Sequence, residues 1–341
     1  MTHLRTAVIG VGHLGQHHAR ILRSLPGVEL VGVSDANPAR CAEVAANCGV
    51  PAFENFRELI DRVDAASIVV PTSLHFEVAS EFLNAGKSVL VEKPLTADVA
   101  QANHLVELAR RRGAILQVGH IERFNPVLHA VPQSNEPPRL IEARRVAPYS
   151  FRSTDISVVY DLMIHDLDIV LSLVGEPASR ITATAWSVFG GLEDVATAHL
   201  SFPCGTEAHI TASRADVHAR REMTIRWPCS VCQLDFATRR SVTSVPTAAF
   251  HESTNLFINP PFAQMASLRE KLRGTFFEVI EQDYSGGPEL LALELEQFVT
   301  CVREHREPLV NGVRARDAVL LADSILRAAR GLAPIGLVKA A

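Results

Sequence analysis

Short, almost unbroken apolar runs alternate with longer amphipathic stretches through the first third of the chain. Ala7-Val8-Ile9, Leu30-Val31-Gly32-Val33, Ala66-Ser67-Ile68-Val69-Val70, Ser88-Val89-Leu90-Val91 and Ile115-Leu116-Gln117-Val118 are such runs. A strand covered on both faces has no side that meets water, so its sequence loses polar alternation. Between the runs, Phe76 to Leu83 leads into Asn84-Ala85-Gly86, and Ala97 to Arg112 leads into Gly113. Helical spacing that stops at a glycine marks a helix closed by a left-handed residue. The alternation predicts an α/β fold whose N-terminal part, residues 1–120, is a Rossmann doubly wound parallel sheet.

The pattern then changes. Leu140 to Val146, Ile181 to Val188, Val195 to Phe202 and Glu207 to Ser213 are longer and rich in Thr, Val, Ile and Ala, and Phe202-Pro203-Cys204-Gly205-Thr206 is a hairpin turn between two of them. They predict an α+β C-terminal domain over 121–341, with a large, mostly antiparallel open sheet interrupted by a helix over Asp155 to Val174. Residues 241–285 contain Pro246, Pro260 and Pro261 and read as a long excursion at an interface. Two closing helices, Pro288 to Val302 and Ala315 to Arg330, are expected to pack back on the first domain.

The first apolar run ends in Gly10-Val11-Gly12-His13-Leu14-Gly15. In a strand–turn–helix unit the first glycine permits the tight turn. The second lets backbone approach a pyrophosphate, and the third lets helix and strand pack closely, while the helix N-terminus offers N–H groups to the phosphates. The second run ends in Ser34-Asp35, and Asp35 lies twenty residues after Gly15, where a carboxylate accepts from an adenosine ribose. That acid favours NAD, because a 2′-phosphate would be repelled; Arg40 nearby keeps NADP as the less favoured alternative.

Composition narrows the function. The 341 residues are 47% hydrophobic and 21% charged, with a formal net charge of -5. No basic patch suited to nucleic acid is implied, and no apolar stretch approaches membrane-span length. The first strand starts near Arg5, which leaves no room for a signal peptide and points to a cytoplasmic protein. Six scattered cysteines do not form a disulfide framework, and Cys229-Ser230-Val231-Cys232 has neither a second pair nor a redox context, so no metal is expected.

Two constellations carry candidate chemistry. Glu92-Lys93-Pro94 follows a parallel strand directly, where the carboxyl end faces the ligand crevice, so the Lys93 ammonium can stabilise an alkoxide. In Tyr160-Asp161-Leu162-Met163-Ile164-His165-Asp166-Leu167-Asp168, helical spacing puts Asp161, His165 and Asp168 on one face. A histidine flanked by carboxylates can be oriented by one of them and can move a proton near neutral pH. A structural His–Asp bond at a domain seam is the competing reading.

Gly10-Gly12-Gly15, Asp35, Glu92-Lys93-Pro94 and Asp161-x-x-x-His165-x-x-Asp168, in this order, resemble the glucose-fructose oxidoreductase / inositol dehydrogenase / MocA family. The resemblance covers most of the chain and is weakest between about 240 and 285. It implies a catalytic group of Lys93, Asp161 and His165; Met163 stands where the family often has glycine. The cofactor-binding set is Gly10, Gly12, His13, Leu14, Gly15 and Asp35, with Pro71, Thr72, His75, Glu92, Lys93 and His120 towards the nicotinamide.

Gly119-His120-Ile121-Glu122-Arg123-Phe124-Asn125-Pro126 is similar to the branch that contains UDP-N-acetylglucosamine 3-dehydrogenases, which implies an aminotransferase acting on the 3-keto product. Arg123, Arg144, Arg145 and Arg152 are then candidates for holding a substrate diphosphate beside Lys93, Asp161 and His165. The expected activity is hydride transfer between a sugar secondary alcohol, best a UDP-sugar, and nicotinamide. The alternatives are a free sugar or polyol such as inositol, and a nucleotide-sensing protein without turnover. The open sheet is expected to pair two subunits, giving a homodimer or homotetramer.

Overall fold

The computed structural model describes residues 3–334, apart from 135, 152, 154 and 259. Its first sheet holds β1 (Leu4–Ile9), β2 (Val28–Ser34), β3 (Ala52–Phe53), β4 (Ala65–Ile68), β5 (Ser88–Glu92) and β6 (Leu116–Gly119). All pair in parallel, in the order β3-β2-β1-β4-β5-β6. Ala7, Val8, Ala66, Ile68, Val89, Leu90 and Val91 are completely buried at its centre, which is why these strands read as continuous apolar runs. The strand order reverses between β1 and β4, and a crevice opens beyond the carboxyl ends of those strands.

The second sheet holds eight strands: β7 (Leu140–Val146), β8 (Arg180–Trp186), β9 (Val195–Ser201), β10 (Glu207–Ser213), β11 (Arg220–Arg226), β12 (Val231–Asp235), β13 (Arg240–Pro246) and β14 (Phe277–Asp283). Their order is β14-β13-β12-β11-β7-β10-β9-β8, antiparallel throughout except for the parallel pair β7 and β10. The expected mostly antiparallel sheet is therefore present. Ile141, Ala143, Ala198, Leu200, Ala208 and Ile210 face inward, under the helices Ile164–Val174 and Gly312–Ala329. The opposite face carries Trp186, Arg144, His199 and His209 and is open.

The helix Leu290–Glu304 returns to the first sheet, where Leu295, Phe298 and Val299 join a buried cluster with Val8, Leu22 and Leu30. Among the described residues no helix is long and apolar enough to cross a membrane.

Several boundaries differ from the sequence expectation. The helix expected over Asp155 to Val174 starts at Val159, with a π turn over Val159–Met163 before the regular helix Ile164–Val174. The segment 241–285 is framed by β13 and β14, which pair with each other, and short helices lie between them. Pro246 closes β13 where a further ladder donor would be needed. Cys229 is exposed in a turn and Cys232 is buried on β12.

Candidate active site

The glycine turn has the geometry its spacing demands. Gly10 has φ +86°, and a Cβ there would meet the Val69 carbonyl oxygen at 2.6 Å. A Cβ on Gly15 would lie 1.8 Å from the Gly10 carbonyl oxygen, so only glycine lets the helix Gly15–Ser24 start so close to β1. Nothing lies within 4 Å of a Cβ on Gly12, and Gly12, His13 and Leu14 are exposed at the mouth of the crevice.

The first turn of that helix carries no side-chain cap and no acidic residue; the N–H groups of Gln16 and His17 donate to the carbonyls of Gly12 and Leu14, and the positive end of the helix dipole still faces an anion at the turn. Asp35 follows β2 at the same end. Its carboxylate accepts from the backbone N–H of Val11 at 2.7 Å and of Asn37 at 2.8 Å, which fixes its aim. Arg40 donates to the Val11 carbonyl at 3.0 Å and to Glu43 at 2.8 Å, so its guanidinium is engaged by the turn and by a carboxylate. These residues fit a dinucleotide with free ribose hydroxyls.

Lys93 leaves the end of β5 and meets the turn that starts the second-sheet helix. Its Nζ donates to the Asp161 carbonyl at 2.7 Å and to Asp161 Oδ1 at 3.0 Å. A lysine ammonium has three donors, so one is left for a substrate oxygen. The π turn takes Asp161 out of the regular i, i+4 register, and its carboxylate goes to Lys93 instead of the imidazole of His165. Asp168, the third member of the expected face, pairs with Arg123 at 3.3 Å. The carboxylate orientation of His165 foreseen from spacing is therefore absent.

His165 packs edge-on against His120, with ring centroids 6.1 Å apart. Its Nδ1 and both ring nitrogens of His120 are buried without hydrogen-bond partners among the described residues. Unpaired buried polar atoms are rare in folded chains and mark places where a ligand or water supplies the partner. Burial holds the His165 imidazole well below its ordinary pKa, and the Lys93 and Arg145 cations push the same way. It is therefore a neutral base at neutral pH. Burial also lowers His120, opposed in part by Asp168.

His75, expected at the cofactor, is buried, with Nδ1 2.8 Å from the Pro94 carbonyl and Nε2 2.9 Å from the Val70 carbonyl. Both nitrogens thus face backbone carbonyls, one of which a neutral imidazole can donate to, and His75 ties the end of β4 to the Lys93-Pro94 segment instead of facing a ligand. Glu92 accepts from the Lys93 N–H at 3.1 Å and lies 3.3 Å from His18 Nε2, so it supports the strand end from behind. Pro71 and Thr72 lie at the start of the helix Thr72–Asn84, at the crevice.

The four arginines proposed for a diphosphate part company. Arg145 is buried, donating to Asp166 at 3.0 and 2.9 Å and to Glu122 at 2.8 Å. It is spent on two carboxylates, and no phosphate can reach it. Arg144, its neighbour in the strand, points to the open face and pairs with Asp216. Arg123 is tied to Asp168 and lines a cavity of about 470 Å³ whose walls include neither Lys93 nor His165. Arg152 lies outside the described residues.

Sequence reasoning missed Arg221. It stands directly across the strand pair from Arg145, 3.8 Å from Glu122, with its side chain 56% exposed. It is one of the cations that depress His165. Among the described residues no group of three or more His, Cys, Asp or Glu is placed to hold a metal.

A Rossmann crevice bordered by a lysine, an aspartate and a neutral histidine defines a nicotinamide-dependent oxidoreductase. Comparison with known proteins agrees. Residues 4–120 match the oxidoreductase family with an NAD-binding Rossmann fold, and residues 136–227 match the GFO/IDH/MocA C-terminal domain. The chain belongs to this GFO/IDH/MocA oxidoreductase family.

It is 36% identical over 317 residues to the UDP-N-acetylglucosamine 3-dehydrogenase of Acidithiobacillus ferrooxidans, covering 93% of this chain and 94% of that protein. The solved structure of that enzyme superposes with a TM-score of 0.84 at 35% identity, covering 97% and 99% of the two chains. The scyllo-inositol 2-dehydrogenase (NAD(+)) of Bacillus subtilis is 26% identical over 337 residues, or 92% of this chain and 90% of that one. Levoglucosan dehydrogenase in complex with NADH and L-sorbose shares the fold at 17% identity, with a TM-score of 0.80 over 99% and 100% of the chains.

Proposed function

We propose that the chain oxidises a secondary alcohol of a UDP-sugar, with UDP-N-acetylglucosamine oxidised at C3 as the leading substrate. The observation that carries the chemistry is the joint placement of the Lys93 ammonium, held by Asp161, and a His165 imidazole kept neutral by its surroundings. The substrate rests on the 36% identity with a UDP-N-acetylglucosamine 3-dehydrogenase along 94% of that enzyme.

NAD, when bound, accepts the hydride. The chain does the rest. The N-terminus of the helix Gly15–Ser24 and the Asp35 carboxylate hold the pyrophosphate and ribose. Lys93 directs its remaining N–H to the substrate hydroxyl and stabilises the negative charge that develops on oxygen. His165 takes the hydroxyl proton, for which a neutral imidazole is required. Asp161 fixes the lysine. A 3-keto sugar nucleotide is chemically suited to an aminotransferase, which is the expected downstream partner.

The test is turnover of purified protein with NAD and with NADP against UDP-N-acetylglucosamine, other UDP-sugars and inositols, followed by absorbance of the reduced nicotinamide. UDP-N-acetylglucosamine with NAD is expected to give the highest kcat/KM. Turnover confined to free inositols would move the assignment to a polyol dehydrogenase, the activity named for the Bacillus relative. Equal or better use of NADP would overturn the role given to Asp35.

A further inference from the structure

The end of the second sheet nearest His165 carries three aromatic side chains that the site described above does not use. β7 runs through Arg145 and Val146 into the loop that holds Tyr149 and Phe151. The loop after β8, which holds Phe189, emerges at the same end, because Trp186 pairs with Val195, Val195 with Ser213 and Ser213 with Val146. Tyr149 lies 4.0 Å from Phe189 and 4.9 Å from Phe151, centroid to centroid, with ring planes inclined by 40° and 75°, so the rings form a cluster that presents separate faces and edges. Phe151 is 85% and Phe189 52% exposed. Contiguous apolar surface of this kind costs solubility and marks a binding surface more often than decoration.

The platform is held from beneath by buried charge. Asp194 and Arg214 form an ion pair at 2.7 Å, with side chains only 2% and 6% exposed. The Asp194 carboxylate accepts from the N–H groups of Val188 at 2.7 Å and Phe189 at 2.9 Å. Arg214 donates to the carbonyls of Ser153 at 2.8 Å and Ile156 at 3.0 Å. One buried pair thus fixes both aromatic loops. Burying two ions is costly, and loops ordered in this way bind a ligand without the cost of further ordering.

Arg221 is the second residue of β11, which flanks β7 on the side away from β10, β9 and β8 and whose first residue, Arg220, pairs with Val146 at this sheet end. Its guanidinium is the half-exposed cation there that shares the inner face with Arg145. We infer that Arg221 and the Tyr149–Phe151–Phe189 platform form the nucleoside diphosphate subsite, with the guanidinium on the diphosphate and the pyrimidine stacked on the exposed ring of Phe189. This inference rests on the sugar-nucleotide reading. It assigns the diphosphate to an arginine outside the set read from sequence.

The probes are UDP and uridine, titrated calorimetrically into the full-length protein loaded with NAD. Stacking on an aromatic side chain and a charge-assisted phosphate contact are each worth roughly tenfold or more in affinity. Arg221→Ala is expected to weaken UDP by about that factor and to leave uridine unchanged. Phe189→Ala weakens both, and Arg144→Ala, on the opposite face, weakens neither. In turnover, Arg221→Ala raises KM for the UDP-sugar with little change in kcat.

If wild type binds UDP and both Arg221→Ala and Phe189→Ala bind it equally well, the subsite is elsewhere and the sugar-nucleotide reading stands. If wild type binds no UDP and turns over only free polyols, that reading falls and the subsite with it. Melting curves check each variant, and Arg221→Gln replaces Arg221→Ala should the latter fail to fold.

Discussion

Replacing Arg145 by methionine tests the electrostatic core of the site. The arginine side chain is 4% exposed and joins two carboxylates that are themselves 2% and 6% exposed, Asp166 and Glu122. Its three hydrogen bonds, at 2.8 to 3.0 Å, would all be lost. Glu122 keeps Asn125 Nδ2 at 3.0 Å, but both Asp166 oxygens lose their guanidinium donors. Removing one partner of a buried ion pair costs about 3–5 kcal/mol. At about 2–4 °C per kcal/mol for a large domain, the melting temperature should fall by roughly 10 °C.

The loss should depend on pH. Burial already holds the Asp166 carboxyl above its ordinary range against the pull of Arg145. Without the arginine it rises further. A carboxyl whose folded pKa is raised binds more protons folded than unfolded, so stability falls as pH rises through that window. The variant should therefore be closer to wild type near about pH 5 than near about pH 8, as read by thermal melts at both. Arg145 is also one of the cations that depress His165, so the acid limb of kcat should move to higher pH. A variant with wild-type melting at both pH values, or a deficit larger in acid, would show that the buried charges are not coupled as drawn.

Three further outcomes are expected. His165→Asn, which cannot shuttle a proton, should lose on the order of 100- to 10,000-fold in kcat, and Lys93→Ala should lose turnover while still binding NAD; near-native His165→Asn with an unchanged melting temperature would make the histidine structural. Burial lowers the pKa of His75, His120 and His165, so each binds fewer protons folded than unfolded and its contribution to stability, present above about pH 6.5, is lost as pH falls; the raised carboxyls of Asp166 and Glu294 act in the opposite sense, so the check is that His165→Asn moves the melting temperature less on acidification than wild type moves, and an unchanged pH slope contradicts this. The open face of the second sheet, with Trp186 and Val242 each more than a third exposed, should be covered by a second copy of the chain, and light scattering that gives a single-chain mass at micromolar concentration would exclude it.

The sequence was most legible where a residue had only one physical job. The central strands of the first sheet are buried on both faces, and their apolar runs admit no other reading. Gly10 and Gly15 are forced by a positive φ and by a 1.8 Å approach, and Asp35 by the end of β2. The second sheet was harder. Arg220-Arg221-Glu222-Met223-Thr224-Ile225-Arg226 is a strand in which only Met223 and Ile225 are buried, so its alternation is drowned by charge at the exposed end and outer face. The π turn before His165 left no mark in the spacing, and it sent Asp161 to Lys93.

The arginines show why a site cannot be read from charge alone. Arg144 and Arg145 are adjacent in a strand, so they must point to opposite faces, and at most one of them can reach a ligand. That much was available from sequence. What was not available is that Glu122, 23 residues earlier, and Asp166, 21 residues later, converge on the inward one. Their two carboxylates neutralise it and leave its cross-strand neighbour as the exposed cation. The pairing of Arg145 with Arg221 is a fact of register between β7 and β11, and register is fixed by the whole sheet. The chemistry of Lys93 and His165 is therefore written in short motifs, while the face presented to the rest of the substrate depends on which strands become neighbours.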